Sequence, residues 1–157
     1  MTLKDHKENF RSNPKCRLIN PAKSDVGQVS KHILDRINND IRSKSQSLQW
    51  RSTSTVISWF KSIDRKNKCK FMQFDICEFY PSISEELLMK ALDFAKSKTN
   101  VSDKEIEIIL HSRKSFLFCQ NKDWVKKGDL PLFDVTMGCY DGSEVCEVVG
   151  LYLLSLL

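Results

Sequence analysis

The sequence has no segment long and apolar enough to span a membrane. The longest apolar run, residues 148–157, is interrupted by Gly150 and Ser155, whereas a membrane-spanning helix needs roughly 20 such residues. The first seven residues also lack the apolar core of a secretory signal peptide. We therefore predict an intracellular protein, cytoplasmic or nuclear, that is not secreted.

The six cysteines lack a recognisable pattern. No two of them form Cys-x-x-Cys, and the three histidines make no zinc-like spacing with them. In an intracellular protein, such scattered cysteines are typically reduced thiols. With 41% hydrophobic and 29% charged residues in a chain of 157, the composition predicts one soluble globular domain or a large part of one.

The net charge of +5 is unevenly distributed along the chain. Residues 1–70 contain 16 lysines and arginines against 6 acidic residues, and residues 71–157 contain 9 against 14. A basic half favours a polyanionic partner, such as nucleic acid or a nucleoside triphosphate. The acidic half would make sense if some of its carboxylates hold metal. Surface charges that cluster by chance are the alternative.

Hydrophobic periodicity and capping residues predict an α+β fold. The first half of the chain is expected to form two short strands within 1–23, a helix from the Ser24 cap to about Ser43, a helix over 55–63 and a strand over 71–77. The second half is expected to form a helix capped by Ser82 or Ser84, a helix from the Ser102–Glu105 capping box, a hairpin over 115–127 and a helix from about Ser143. The first helix is expected to bury Val26, Val29, Ile33, Ile37 and Ile41.

Asp75 interrupts the apolar pattern of the strand predicted over 71–77. A buried carboxylate without a partner is costly, so this position requires a hydrogen-bond donor, a cation or a metal. One alternative is a backbone amide or an arginine. The other is Mg²⁺, which prefers one or two protein carboxylates together with substrate phosphates.

Residues 74–83, Phe-Asp-Ile-Cys-Glu-Phe-Tyr-Pro-Ser-Ile, resemble motif A of reverse transcriptases. That motif has an aspartate at a strand end and an aromatic residue five positions later. The resemblance implies that Asp75 is a catalytic ligand of two Mg²⁺ or Mn²⁺ ions. It also implies that the backbone carbonyl of Ile76 can coordinate these ions. It also implies that Tyr80 excludes a ribose 2′-hydroxyl and so selects deoxynucleotides.

Two segments near the start of the chain resemble the fingers motifs of Penelope-like and related retroelement polymerases. They are Leu-Lys-Asp-His-Lys at 3–7 and Arg-Leu-Ile at 17–19. The resemblance implies that Lys4 and Arg17 grip the incoming triphosphate, and that Lys7 contacts nucleic acid. The chemistry fits, because arginine binds phosphate oxygens bidentately and lysine acts as a point charge. Ordinary surface cations are the alternative for each residue alone.

Residues 133–142, which contain Met137 and Gly138, resemble motif B of the same enzymes. This resemblance implies a glycine turn that supports the nascent base pair, because glycine lets the backbone approach a nucleotide closely. On the first helix, Lys31 and Arg36 could follow the template backbone.

The resemblance covers residues 1–157 and implies the fingers (about 1–70) and part of the palm (71–157) of a right-hand polymerase. The implied function is that of a retrotransposon RNA-directed DNA polymerase, with an RNA template, a DNA primer and a dNTP as partners. The family's second metal motif, usually Tyr-x-Asp-Asp, does not occur in the sequence. We therefore expect a partial domain that is inactive alone. The alternatives are a non-catalytic RNA- or DNA-binding module and a fragment that does not fold stably.

Overall fold

The computed structural model describes residues 2–3, 11–12, 16–17, 19, 23–44, 50, 52–115, 117–124 and 132–157. The helices are α1 (Asp25–Lys44), α2 (Thr53–Ser62), α3 (Phe79–Ser82), α4 (Glu85–Lys98), α5 (Asp103–His111) and α6 (Gly142–Leu154), with a 3₁₀ turn at Lys66–Lys68. The strands are β1 (Thr2–Leu3), β2 (Cys16–Arg17), β3 (Leu117–Cys119) and β4 (Lys122–Trp124). The fold is therefore mostly helical with little strand, which is loosely compatible with the α+β prediction.

Helices α1, α4, α5 and α6 pack together and form the body of the protein. Helix α6 contacts both α1 and α4, while α5 and α4 each contact α1. The side chains that fill the space between them are fully or almost fully buried: Leu34, Ile37, Ile41, Leu88, Ala91, Leu92, Ala95, Ile106, Ile109, Val145, Val148 and Val149. Within the described residues, no helix is both long and apolar enough to cross a bilayer.

Local signals positioned the starts of α1, α4 and α5 correctly, whereas α2 begins at Thr53 rather than Thr55 and the short helix α3 was not predicted. Ser24 Oγ accepts the Gly27 amide at 3.0 Å at the start of α1, and Ser84 Oγ accepts the Leu87 amide at 3.1 Å at the start of α4. Ser102 and Glu105 form the predicted capping box of α5. Each cap satisfies amides that have no partner inside the helix.

The buried face of α1 matches the prediction at Ile37 and Ile41 but differs in the first half of the helix. Val26 and Val29 are 38% and 47% exposed, whereas Ser30, Leu34 and Asn38 are fully buried. Asn38 is held there because its Nδ2 donates to the carbonyl of Glu144 on α6 at 3.0 Å. The apolar spacing defined a helix correctly but allowed two neighbouring faces, and packing against α6 selected the more polar one.

The strands form two short antiparallel pairs. β1 pairs with β2, with Thr2 opposite Arg17 and Leu3 opposite Cys16. β3 pairs with β4 across a turn at Gln120 and Asn121, whose φ angles of 52° and 57° suit a two-residue hairpin turn. The predicted hairpin is confirmed, but its turn has two residues rather than the expected four (120–123), so that the second strand begins at Lys122 instead of Trp124.

The strand predicted over 71–77 is wrong. Residues 71–76 adopt neither helix nor strand, Cys77 begins a turn, and Met72 and Phe74 are 82% and 86% exposed. A strand needs a neighbouring strand for its backbone amides and carbonyls, and no described residue pairs with this segment. Asp75 is consequently exposed rather than buried.

Truncation of a core side chain tests this packing. We expect Leu92→Ala to lower the free energy of unfolding by roughly 2–5 kcal/mol, because it leaves a cavity between packed helices. Leu156→Ala is the matched control, since Leu156 is 65% exposed, and we expect a change within about 0.5 kcal/mol. Urea unfolding followed by circular dichroism measures both, and equal losses would contradict the packing described above.

Candidate nucleotide site at the start of helix α6

Tyr80 lies against the beginning of α6. Its ring atom Cε1 is 3.4 Å from the position that a β-carbon on Gly142 would occupy, and the Cys146 thiol of α6 is a near neighbour of its hydroxyl. Burial, followed by the neighbouring Cys146 thiol, raises the pKa of Tyr80 above its ordinary value. Burial likewise raises the pKa of the Cys146 thiol to about 11. Both groups therefore remain protonated at neutral pH.

The turn that precedes α6 requires both of its glycines. Gly138 has a φ of 89°, a left-handed conformation that suits glycine. At Gly142, a β-carbon would lie 2.6 Å from Cys139 Sγ and 3.0 Å from the Thr136 carbonyl oxygen. Cys139 Sγ itself donates to that carbonyl at 2.8 Å. The turn that carries Met137 and Gly138 is thus tightly closed, with Tyr80 at its edge.

A buried ion pair joins the end of α5 to the start of α6. Arg113 and Asp141 have side chains only 2% and 1% exposed, and an Arg113 guanidinium nitrogen contacts the Asp141 carboxylate directly. Ser112 Oγ donates to the other carboxylate oxygen at 2.8 Å and accepts from Arg113 Nη2 at 3.0 Å. Arg113 Nη1 also reaches Cys139 Sγ at 3.5 Å. The sequence analysis missed this pair, because no local motif marks Arg113 or its distant partner.

Backbone contacts hold the segment that leads into this turn. The Arg113 carbonyl accepts the Asp134 amide at 3.0 Å, and the Ser115 amide donates to the Leu132 carbonyl at 2.9 Å. Further along, Met137 forms a parallel bridge with Ile19. Ile19, two positions after Arg17 in the sequence, therefore lies beside the turn that the sequence analysis associated with motif B.

The structure describes only one of the three remaining residues that are predicted to bind phosphate or nucleic acid. For Arg17 the backbone is described, at the end of β2. Lys4 and Lys7 lie outside the described residues. Their predicted contacts with triphosphate and nucleic acid stay predictions.

Lys31 and Arg36, the cations predicted to follow a template, have acidic partners within the protein. The Lys31 ammonium contacts the Glu144 carboxylate and lies 3.3 Å from Asp35 Oδ2. Arg36 Nη2 lies 2.6 Å from Glu105 Oε1. A phosphate at either residue would have to share or displace these carboxylates, so the template contact stays a prediction.

The Lys31 contact changes the acidity of Glu144. Burial by itself would raise the pKa of this carboxyl, but hydrogen bonds from Lys31 and Ser143 bring it below its ordinary value. The hydrogen bond with Glu144 in turn raises the pKa of Lys31, against an opposing effect of burial. The two groups are therefore charged together at neutral pH and tie α1 to α6.

Asp75 and Ile76 lie on the exposed segment just before α3. Ile76 is 50% exposed, and the chain turns into α3 at Glu78, whose φ is 52°. Within the described part of the chain, no group of three or more His, Cys, Asp or Glu side chains is arranged to hold a metal ion. Asp75 and the Ile76 carbonyl therefore offer a single carboxylate with one neighbouring backbone oxygen, open to solvent.

None of the protein-family models, curated proteins or solved structures that were compared matches this chain. Its function is therefore inferred from the site. Tyr80 lies against the turn that carries Met137 and Gly138, and Ile19 bridges to that turn.

The buried ion pair gives a stability prediction. We expect Asp141→Asn to lower the free energy of unfolding by about 3–5 kcal/mol, because Arg113 then stays buried without its counter-charge. Arg113→Met combined with Asp141→Asn should recover much of that loss, since no unpaired charge remains. Glu86→Gln, which breaks an exposed pair with Lys90, should have a much smaller effect. Urea unfolding measures all three, and a double variant less stable than Asp141→Asn would refute the assignment.

Proposed function

We propose that the chain is a partial RNA-directed DNA polymerase domain of a retrotransposon, Penelope-like or related, comprising fingers and part of a right-hand palm. One observation carries the proposal. Residues assigned to three separate polymerase motifs lie around one turn: the Tyr80 ring lies beside Gly142, and Ile19 bridges to Met137. These residues are far apart in sequence, and the resemblance alone does not bring them together.

The placement of Tyr80 supports a role in nucleotide selection. Its ring lies beside a turn in which glycine leaves room for close approach of a nucleotide. A nucleotide seated over Met137 and Gly138 would bring its sugar near this ring. Because the ring is half-buried beside Gly142, it would yield little to an added 2′-hydroxyl. Steric exclusion of ribose follows.

The triphosphate would lie on the side of β1 and β2. These strands pair directly, Arg17 ends β2, and Lys4 follows β1 in sequence. The bridge from Ile19 to Met137 brings the end of this pair to the turn. Cations on such a hairpin would neutralise phosphate oxygens beside the base-pair site.

Asp75 fits a metal ion that arrives with the triphosphate. Mg²⁺ usually retains waters and binds proteins through one or two carboxylates plus phosphate oxygens, and Asp75 with the Ile76 carbonyl offers that minimal set. When bound, metal ions in such sites stabilise the attacking and leaving oxygens of an in-line displacement. The chain has no adjacent pair of aspartates to complete a two-metal site. We therefore expect nucleotide binding without polymerisation by these residues alone.

A second candidate is a non-catalytic module that grips RNA or DNA without metal. It is favoured by the exposure of Asp75 and by the lack of a metal-ligand cluster within the described ranges. Its binding would depend on salt but not on Mg²⁺.

Removal of the Asp75 charge separates the two candidates. We expect Asp75→Asn to weaken Mg²⁺-dependent binding of a fluorescent dNTP by about tenfold or more, equivalent to about 1.4 kcal/mol, because the metal loses its carboxylate. Fluorescence anisotropy with and without EDTA measures this loss. Asp93→Asn, at an exposed position on α4, is the matched control and should bind as the original chain does. An affinity for the nucleotide that is unchanged both by EDTA and by Asp75→Asn would reject the polymerase proposal in favour of the binding module.

Replacement of the Tyr80 ring tests sugar selection. We expect Tyr80→Ala to reduce the preference for dNTP over NTP by about tenfold, or about 1.4 kcal/mol, because the steric barrier to the 2′-hydroxyl is removed. Tyr80→Phe keeps the ring and should keep the preference. The readout is the ratio of the affinities for dNTP and NTP, measured in one preparation. Partial unfolding of the variant lowers both apparent affinities by the same factor and therefore leaves the ratio unchanged. An unchanged ratio in Tyr80→Ala would rule out this role.

A further inference from the structure

An aromatic cluster lies on the surface around helix α2. It consists of Trp50, Trp59, Phe60 and Phe71. The ring centroids of Trp50 and Trp59 are 4.7 Å apart, and those of Phe60 and Phe71 are 5.6 Å apart. Trp50, Phe60 and Phe71 are nevertheless 47%, 45% and 55% exposed, and α2 buries no residue. The rings contact one another but leave large faces in water.

The segment next to this cluster is strongly basic. Residues 61–70 contain five cations, with Asp64 as the one acidic residue: Lys61, Arg65, Lys66, Lys68 and Lys70. Among the described residues, none of these cations forms an ion pair, in contrast to Lys31 and Arg36 on α1. Lys66 Nζ lies 5.7 Å from the centroid of the Phe60 ring. Open rings and unneutralised cations therefore share one surface, which we name the aromatic–basic lobe (residues 50 and 59–71).

We propose that the aromatic–basic lobe binds single-stranded nucleic acid. Exposed aromatic rings provide faces on which unpaired bases stack, and neighbouring cations neutralise the phosphates between them. An uncharged apolar partner would cover the rings but leave five cations without counter-charges. A duplex would offer the phosphates but keep its bases stacked inside. A single strand offers unpaired bases to the rings and phosphates to the cations.

This site is distinct from the turn at the start of α6. Different residues form it, and it requires neither a nucleotide, a metal ion nor Asp75. A chain that fails to bind dNTP would still bind a single strand here, so the outcome is independent of the proposed polymerase function.

Tryptophan fluorescence of the full chain tests the proposal directly. Titration with oligouridylate or oligothymidylate should quench the emission, because bases stack on Trp50 and Trp59, and binding should weaken as salt rises. The two oligonucleotides distinguish a preference for RNA from one for DNA. Quenching by a duplex with the same affinity as a single strand would overturn the proposal.

Variants that keep both tryptophans test the rings. Phe71→Ala and Phe60→Ala should each weaken single-strand binding by about tenfold, as expected when one stacking ring is lost. Ile57→Ala is the matched control, since Ile57 is 49% exposed on the same helix but offers no ring. If Ile57→Ala weakens binding as much as Phe71→Ala, the surface is a general apolar contact and the proposal fails.

Charge variants test the phosphate contacts. A triple change of Lys66, Lys68 and Lys70 to Gln should weaken binding and make its salt dependence shallower. The same change at Lys23, Lys104 and Lys114, which are exposed elsewhere, alters net charge equally and should leave the salt dependence nearly unchanged. Light scattering completes the test. Self-association abolished by Phe71→Ala, without oligonucleotide quenching, would identify the lobe as a contact between copies and overturn the proposal.

Discussion

The buried ion pair between Arg113 and Asp141 is the contact on which the arrangement of the site depends. Removing two charges from water is costly, and attraction between them offsets that cost only when their remaining hydrogen-bonding groups are also satisfied. Here Ser112 bonds to both partners and Cys139 receives a further guanidinium N–H. Few other positions of α5 relative to α6 would keep all of these contacts. The pair therefore holds the end of α5 next to the start of α6.

The proposed nucleotide site follows from that junction. Because the Arg113 carbonyl also binds the Asp134 amide, the segment that leads into the glycine turn is held from the same point. Tyr80 then packs against the first turn of α6, and Ile19 forms a bridge with Met137. The proposed site is thus assembled around a tightly closed turn, while Asp75 lies on the exposed segment that precedes α3.

The cations of the basic half fall into two groups, those with acidic partners inside the protein and those without such partners among the described residues. Part of it holds the fold together, because cations of α1 pair with acidic residues from the second half of the chain: Lys31 with Glu144, Arg36 with Glu105 and Arg42 with Glu147. The cations of residues 61–70 have no such partners within the described chain. Within the basic half of the sequence, the expectation of a polyanionic partner therefore rests more on the aromatic–basic lobe than on α1.

Local chemistry made part of this structure predictable from sequence. Caps at Ser24, Ser84 and Ser102 depend on atoms within a few positions of one another, so the sequence by itself determined where those helices begin; it predicted the hairpin as well, though with a longer turn. The resemblance to polymerase motifs likewise singled out Tyr80 and the glycine turn. The tertiary structure decided which face of α1 is buried, that residues 71–77 form no strand, and that Arg113 meets Asp141. Burial, strand pairing and ion pairs each require a distant partner, and no local pattern specifies which distant residue will be close.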